Sequence, residues 1–229
     1  MALCQQDQEC KNLIRDYLQR MYSYSKPDQK KIYFLEMTTD TFYKPEAETQ
    51  DTHVEIKMTI AGAKMEYESN VMSYYMDEKN TFVIMHPQKV VVLSDGGVKN
   101  RTNKYANIVA VEDTLLKHST ITSCVNVNSD GKTLKQIFLT TDKIFRTATS
   151  IAKVEYLYDL GEERVVKSTM RYAEKSPKKE DVILYKKVDY DYNISPFKNA
   201  SEKVLTTNGS LLPKFKTYQL IDNRNYSKK

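Results

Sequence analysis

The chain has 229 residues, 40% hydrophobic and 28% charged, which is enough for one sizeable folded core and too apolar for a disordered chain. Its 35 basic and 30 acidic residues leave a net charge of +5 and are spread along the sequence, without the clustered Lys/Arg stripe that a nucleic-acid backbone requires. The longest purely apolar run, "VVVL" at 90–93, is far below the roughly 20 residues that span a bilayer, so the chain is expected to be peripheral to a membrane at most.

Residues 7–25, "DQECKNLIRDYLQRMYSYS", place Leu13, Ile14, Tyr17, Leu18 and Met21 on one stripe at steps of three and four, the period of an amphipathic helix. Pro27 ends it. From residue 32 the period changes to two. Strands are predicted at 32–43, 54–61, 63–75, 80–86 and 89–94, separated by "AGA", "DEKN" and "HPQ". The segment 103–118 is read as an interrupting helix, with "VEDTLLKH" its strongest part. A second run follows at 120–128, 134–141, 151–159, 163–173 and 182–192, joined by hairpin loops such as "NSDGKT" and "LTTDKI". A short helix in "FKNASEKVL" and a last strand in "KFKTYQLIDN" complete the chain. These elements predict a single domain over 1–229 of the α+β class, mostly antiparallel β. Such a pattern makes the N-terminal amphipathic helix cover one face or mouth of a curled antiparallel sheet.

Motifs of catalysis are weak. His53, His86 and His118 form no metal-ligand pair and read as surface residues; "SDGKTLK" at 129–135 lacks the earlier glycine of a phosphate loop and reads as a hairpin turn. Asp189 and Asp191 in "VDYDYN" read as a solvated acidic edge. No enzyme activity, cofactor or metal is expected. Cys4, Cys10 and Cys124 form no CxxC pair; three free thiols are the favoured reading, with Cys4–Cys10 or Cys10–Cys124 as the pairings open to an exported protein. Ala2-Leu3-Cys4 reads as the remnant of a removed signal peptide, which would make Cys4 a candidate for lipidation.

One stripe is unusual. In "HVEIKMTIAGAKMEYESNVMSYYM", Val54, Ile56, Met58 and Ile60 alternate with polar residues, and after "AGA" the alternation resumes with Met65, Tyr67, Val71 and Tyr75. Its ordinary reading is core. Many strands with a single helix stripe to cover them, however, leave an apolar space, and pliable Met with amphipathic Tyr suits a greasy, variable guest.

The order of parts resembles the periplasmic lipoprotein carriers of the LolA/LolB type. The resemblance runs through "CKNLIRDYLQRMYSY", "IYFLEMTTDTF", "VEIKMTIAGAKMEYES" and "TFVIMHPQKVVVLSDGG", and later "KQIFLTTDKI" and "IAKVEYLYD". It covers about 7–192, with "SDGG" at 94–97 as its letter-level echo; the segment 193–229 lies outside it, and the family's frequent Trp is missing. The resemblance implies a curled, unclosed β-barrel (half-barrel) covered by the N-terminal amphipathic helix, with 193–229 as a C-terminal extension, in a periplasmic, outer-membrane-associated protein whose partner is a lipid or lipoprotein acyl chain. The expected lid residues are Leu13, Tyr17 and Met21, and the expected sheet residues are Ile56, Met58, Ile60, Met65, Tyr67 and Tyr75. The alternative is an interaction module with a filled core, docking an envelope protein through a strand edge or the C-terminal tail.

Overall fold

The computed structural model describes residues 2–24, 30–96, 114–129, 131–193 and 197–224, the side chains of 2–7, 22 and 24 excepted. Helix α1 (Ala2–Tyr24) is followed by β1 (Ile32–Tyr43), β2 (Thr52–Ala61), β3 (Lys64–Ser69), β4 (Met72–Met76), β5 (Asn80–Met85) and β6 (Val90–Asp95). Then come β7 (Ser119–Ser129), β8 (Lys132–Thr141), helix α2 (Lys143–Thr149), β9 (Ile151–Asp159), β10 (Arg164–Tyr172) and β11 (Lys178–Asp189). Helix α3 (Ala200–Val204), a 3-10 turn (Pro213–Phe215) and β12 (Gln219–Asp222) end the described chain. The strands form one sheet in the order β12-β6-β5-β4-β3-β2-β1-β11-β10-β9-β8-β7. The chain thus makes two runs of sequential strands that meet where β1 neighbours β11. Among the described residues β12 and β7 end the sheet without pairing, so the class is the expected one: α+β, mostly antiparallel, unclosed, with an N-terminal helix.

Three details depart from the sequence reading. The predicted strand 63–75 is two strands, broken at Asn70–Val71, where Ser69 Oγ accepts from Met72 N at 3.0 Å. "LTTDKI" is not a hairpin loop: Asp142 caps α2, its carboxylate accepting from Phe145 N at 2.9 Å. That backbone bond, and then His118, hold the Asp142 carboxyl below its usual range. And β12 runs parallel to β6, so not every pair is antiparallel. The predicted helix at 103–118 falls mostly outside the described residues; 114–117 is a helical turn that buries Leu115 and Leu116. At the "SDGKT" turn Gly131 takes φ +75, the left-handed conformation that glycine adopts without a Cβ clash.

The chain falls into two compact units. Unit 1 comprises Met1–Tyr22, Met37–His53 and Asn107–Lys186; unit 2 comprises Ser23–Glu36, Val54–Ala106 and Lys187–Lys229. In unit 1, α1 lays Cys10, Ile14, Tyr17 and Leu18 on a cluster with Ile121, Cys124, Ile137, Leu139, Val154, Tyr156, Tyr158 and Val165. Register explains how Ile121 and Cys124, three apart, share a face: Ile121 pairs with Leu139, Ser123 with Phe138 and Cys124 with Ile137, and the bulge between them spends one residue. Cys124 thereby meets α1 and is bonded to Cys10, 114 residues away. The expectation of three free thiols is corrected; Cys4 lies among residues whose side chains are not described.

In unit 2 a different segment covers the sheet. Ala200 and Val204 of α3 and Phe215 of the 3-10 turn pack with Tyr75, Phe82, Ile84, Val91 and Leu93. The helix start has no cap from its own Asn199; buried Asp77 supplies one, its Oδ2 accepting from Ala200 N at 2.8 Å. Lys203 reaches Glu66 at 2.9 Å, and His86 bridges Ser73 Oγ at 2.9 Å and the Tyr218 hydroxyl at 3.2 Å. The C-terminal segment seals one face of β4–β6 and extends the sheet through β12.

Candidate functional site: an uncharged methionine and tyrosine face

The other face of unit 2 can be read from its register, which has no bulge from β2 to β6. Met58 pairs with Tyr67, Tyr67 with Tyr74, Tyr74 with Val83 and Val83 with Val92, so these five form one row across the sheet. On one side of it lies the row Ile60, Met65, Met76, Thr81 and Ser94; on the other, Met72, Met85 and Val90, with Ile56 paired to Ser69. Cross-strand partners stand about 5 Å apart, close enough to form one continuous surface. Five methionines, Met58, Met65, Met72, Met76 and Met85, share this face with two tyrosines. The Tyr74 hydroxyl donates to Met76 Sδ at 3.2 Å, in keeping with their common side. No position on these rows carries a charged residue.

Burial is graded along the rows. Ile56, Ile60, Met65 and Met76 are buried, whereas Met58, Tyr67, Met72, Tyr74, Val83, Met85 and Val92 are half-buried. One polar group stands apart. Thr81 is 8% exposed, and its hydroxyl makes no hydrogen bond to any described residue.

Of the residues expected from sequence, Ile56, Met58, Ile60, Met65 and Tyr67 lie together here. Tyr75 does not: the turn at Asn70–Val71 resets the alternation, so Tyr74 joins this face and Tyr75 the opposite one, beneath the C-terminal segment. There its hydroxyl donates to Glu68 at 2.5 Å, and burial first, then that bond, push its pKa well above the usual tyrosine value. Leu13, Tyr17 and Met21 belong to unit 1, Tyr17 within its core at 2% exposed and edge-on to Tyr185, Leu13 and Met21 packed partly buried against it. Met72, Tyr74, Met76, Val83 and Met85 were missed as members of the face. Their signal was the turn itself: a strand of thirteen residues read through "ESNVM" hides the change of side.

The histidines each have a local partner. His53 Nδ1 lies 2.6 Å from Asp40 and His118 Nδ1 2.8 Å from Asp142, while His86 ties the C-terminal segment to β4. Asp191 pairs with Lys31 at 3.0 Å, as befits an exposed acidic edge. Among the described residues no group of three or more His, Cys, Asp or Glu stands together to hold a metal ion, and no helix is long and apolar enough to cross a membrane.

Solved structures similar to this chain are similar at low identity. An uncharacterized conserved protein from Thermus thermophilus matches with a TM-score of 0.46 at 7% identity, over 92% of this chain and 99% of that one. The Mycobacterium tuberculosis lipoprotein LppX gives 0.42 at 11%, over 82% and 100%. A LolA superfamily protein from Nitrosomonas europaea gives 0.32 at 11%, over 85% and 97%. No protein-family model and no curated protein matches the chain.

Proposed function

We propose that this is a non-enzymatic envelope protein that holds a lipid or acyl chain against the methionine and tyrosine face of β2–β6, as a LolA-like carrier or chaperone. The observation that carries the reading is the face itself: a register-continuous apolar surface without one charge, half-buried at its centre, on the side of the sheet opposite the segment that seals unit 2. Each methylene buried there contributes about 0.8 kcal/mol, and the unbranched thioether side chains re-pack around guests of differing shape. Ile56, Met58, Ile60, Met65 and Tyr67 would contact the guest, joined by Tyr74 and Met85. The Cys10–Cys124 bond supports an oxidising compartment such as the periplasm.

The test is uptake. Protein purified from its host should release lipid into organic solvent, detected by mass spectrometry, and should enhance the fluorescence of N-phenylnaphthylamine. Met58→Asp places a carboxylate on the half-buried central row and should abolish dye uptake while the circular dichroism of the sheet is retained. An empty extract together with a silent dye would sink the proposal.

A second reading is favoured by the far edge of the sheet. Among the described residues β7 pairs with β8 alone and exposes Val125, which suits strand addition by a partner protein. A cross-linking experiment from position 126 would test it.

A further inference from the structure

We infer that the guest carries a neutral polar head and that Thr81 receives it. The inference rests on the carrier reading above and deepens it by naming the ligand's head chemistry. Two observations point the same way. First, Thr81 sits on the guest-facing row between Met76 and Ser94, is 8% exposed, and leaves its hydroxyl without a partner among the described residues. A buried hydroxyl that makes no hydrogen bond carries a desolvation penalty, which a ligand hydroxyl or carbonyl placed there would relieve. Ser94, paired directly with Thr81 and half-buried, offers a second hydroxyl at the same corner.

Second, among the described residues the face carries no cation to match an anionic head. Lys57 and Lys64 on β2 and β3 fall on the opposite side, as do Glu55, Glu66 and Glu68, and Lys203 is already paired with Glu66 there. A phosphate or carboxylate brought to the Thr81 corner would be desolvated without a counter-charge, whereas a glyceryl hydroxyl or ester carbonyl would not. The opposite end of the face, at Met72, Met85 and Val90, is apolar on β4, β5 and β6 and suits the chain. The face therefore has a polar corner and an oily end, and it fixes the direction in which an amphiphile lies.

The experiment is displacement of N-phenylnaphthylamine from the full chain by two ligands that differ in one group: monopalmitoylglycerol, and the lysophosphatidic acid with the same acyl chain. The expected result is displacement by the neutral lipid at concentrations at least about tenfold lower. Thr81→Val should weaken the neutral lipid about tenfold while keeping or raising the melting temperature, and Thr81→Ser should restore the neutral lipid's affinity. Equal displacement by the two lipids, or a Thr81→Val protein that binds the neutral lipid as the parent does, overturns the inference and leaves the carrier reading standing. A protein that takes up no dye overturns both.

Discussion

The two units cover their sheets from opposite ends of the chain and fasten the covers differently. Unit 1 uses α1, fixed to β7 by a disulfide; unit 2 uses the C-terminal segment, held by Asp77, His86 and the Lys203–Glu66 pair. The apolar supply differs too. Over β5 and β6 of unit 2 both faces are apolar, Phe82, Ile84, Val91 and Leu93 on one and Val83, Met85, Val90 and Val92 on the other. One covering segment can seal one of them.

The comparison can be broken most decisively at the covalent fastening. Replacing Cys10 and Cys124 together by Ala should cost about 4 kcal/mol, because the bond closes a loop across a separation of 114 residues. Urea unfolding should show that loss, and hydrogen exchange should report it from β7–β10 before β4–β6. Loss of protection confined to unit 2 would contradict the assignment of α1 as the cover of unit 1. Next in size is Gly96→Ala. An added Cβ would lie 2.4 Å from Asn80 N and 2.5 Å from Asp77 O, backbone atoms that cannot yield, at the turn whose Asp77 caps α3. A loss of about 2 kcal/mol is expected, with loosening of the C-terminal segment as its signature in limited proteolysis.

The smallest effect sharpens a likeness. Each unit has a tyrosine hydrogen-bonded to a carboxylate, Tyr172 with Asp181 in unit 1 and Tyr75 with Glu68 in unit 2, and burial first and the carboxylate second raise both pKa values above 10.0. Because the folded value is the higher one, the stability these groups contribute is present in full below pH 10.0 and is lost as pH climbs toward the folded value. Tyr75→Phe and Tyr172→Phe should each cost about 1 kcal/mol at neutral pH and flatten the alkaline limb of the stability profile. A profile unchanged above pH 10.0 in both variants would show that neither bond persists in solution.

Much of this was legible in the residues. The stripe of Leu13, Ile14, Tyr17, Leu18 and Met21 gave the helix, and alternation gave nearly every strand within two or three residues, because periods of 3.6 and 2 follow directly from which side must be buried. What alternation cannot show is a change of side. The two-residue turn at Asn70–Val71 moved Tyr75 off the expected face, and the one-residue bulge before Ser123 brought Cys124 onto the face of Ile121; neither shows in a count of alternating residues. The packing of the C-terminal segment was hidden for another reason: "FKNASEKVLTTNG" is polar by count, and only the packing of Ala200, Val204 and Phe215 with β4–β6 shows how its few apolar residues are spent. "TFVIM" and "VVVL" did announce two-sided burial, since a strand wetted on one face would alternate.

The bulge in β7 has a consequence for how the molecule tolerates length changes. Removing Thr122, the extra residue of the bulge, would leave Ile121 and Cys124 two apart, so plain alternation would keep both toward α1 and the covalent tie to Cys10 in place. A loss that would turn over the inner side chains of a regular strand is absorbed at this one position.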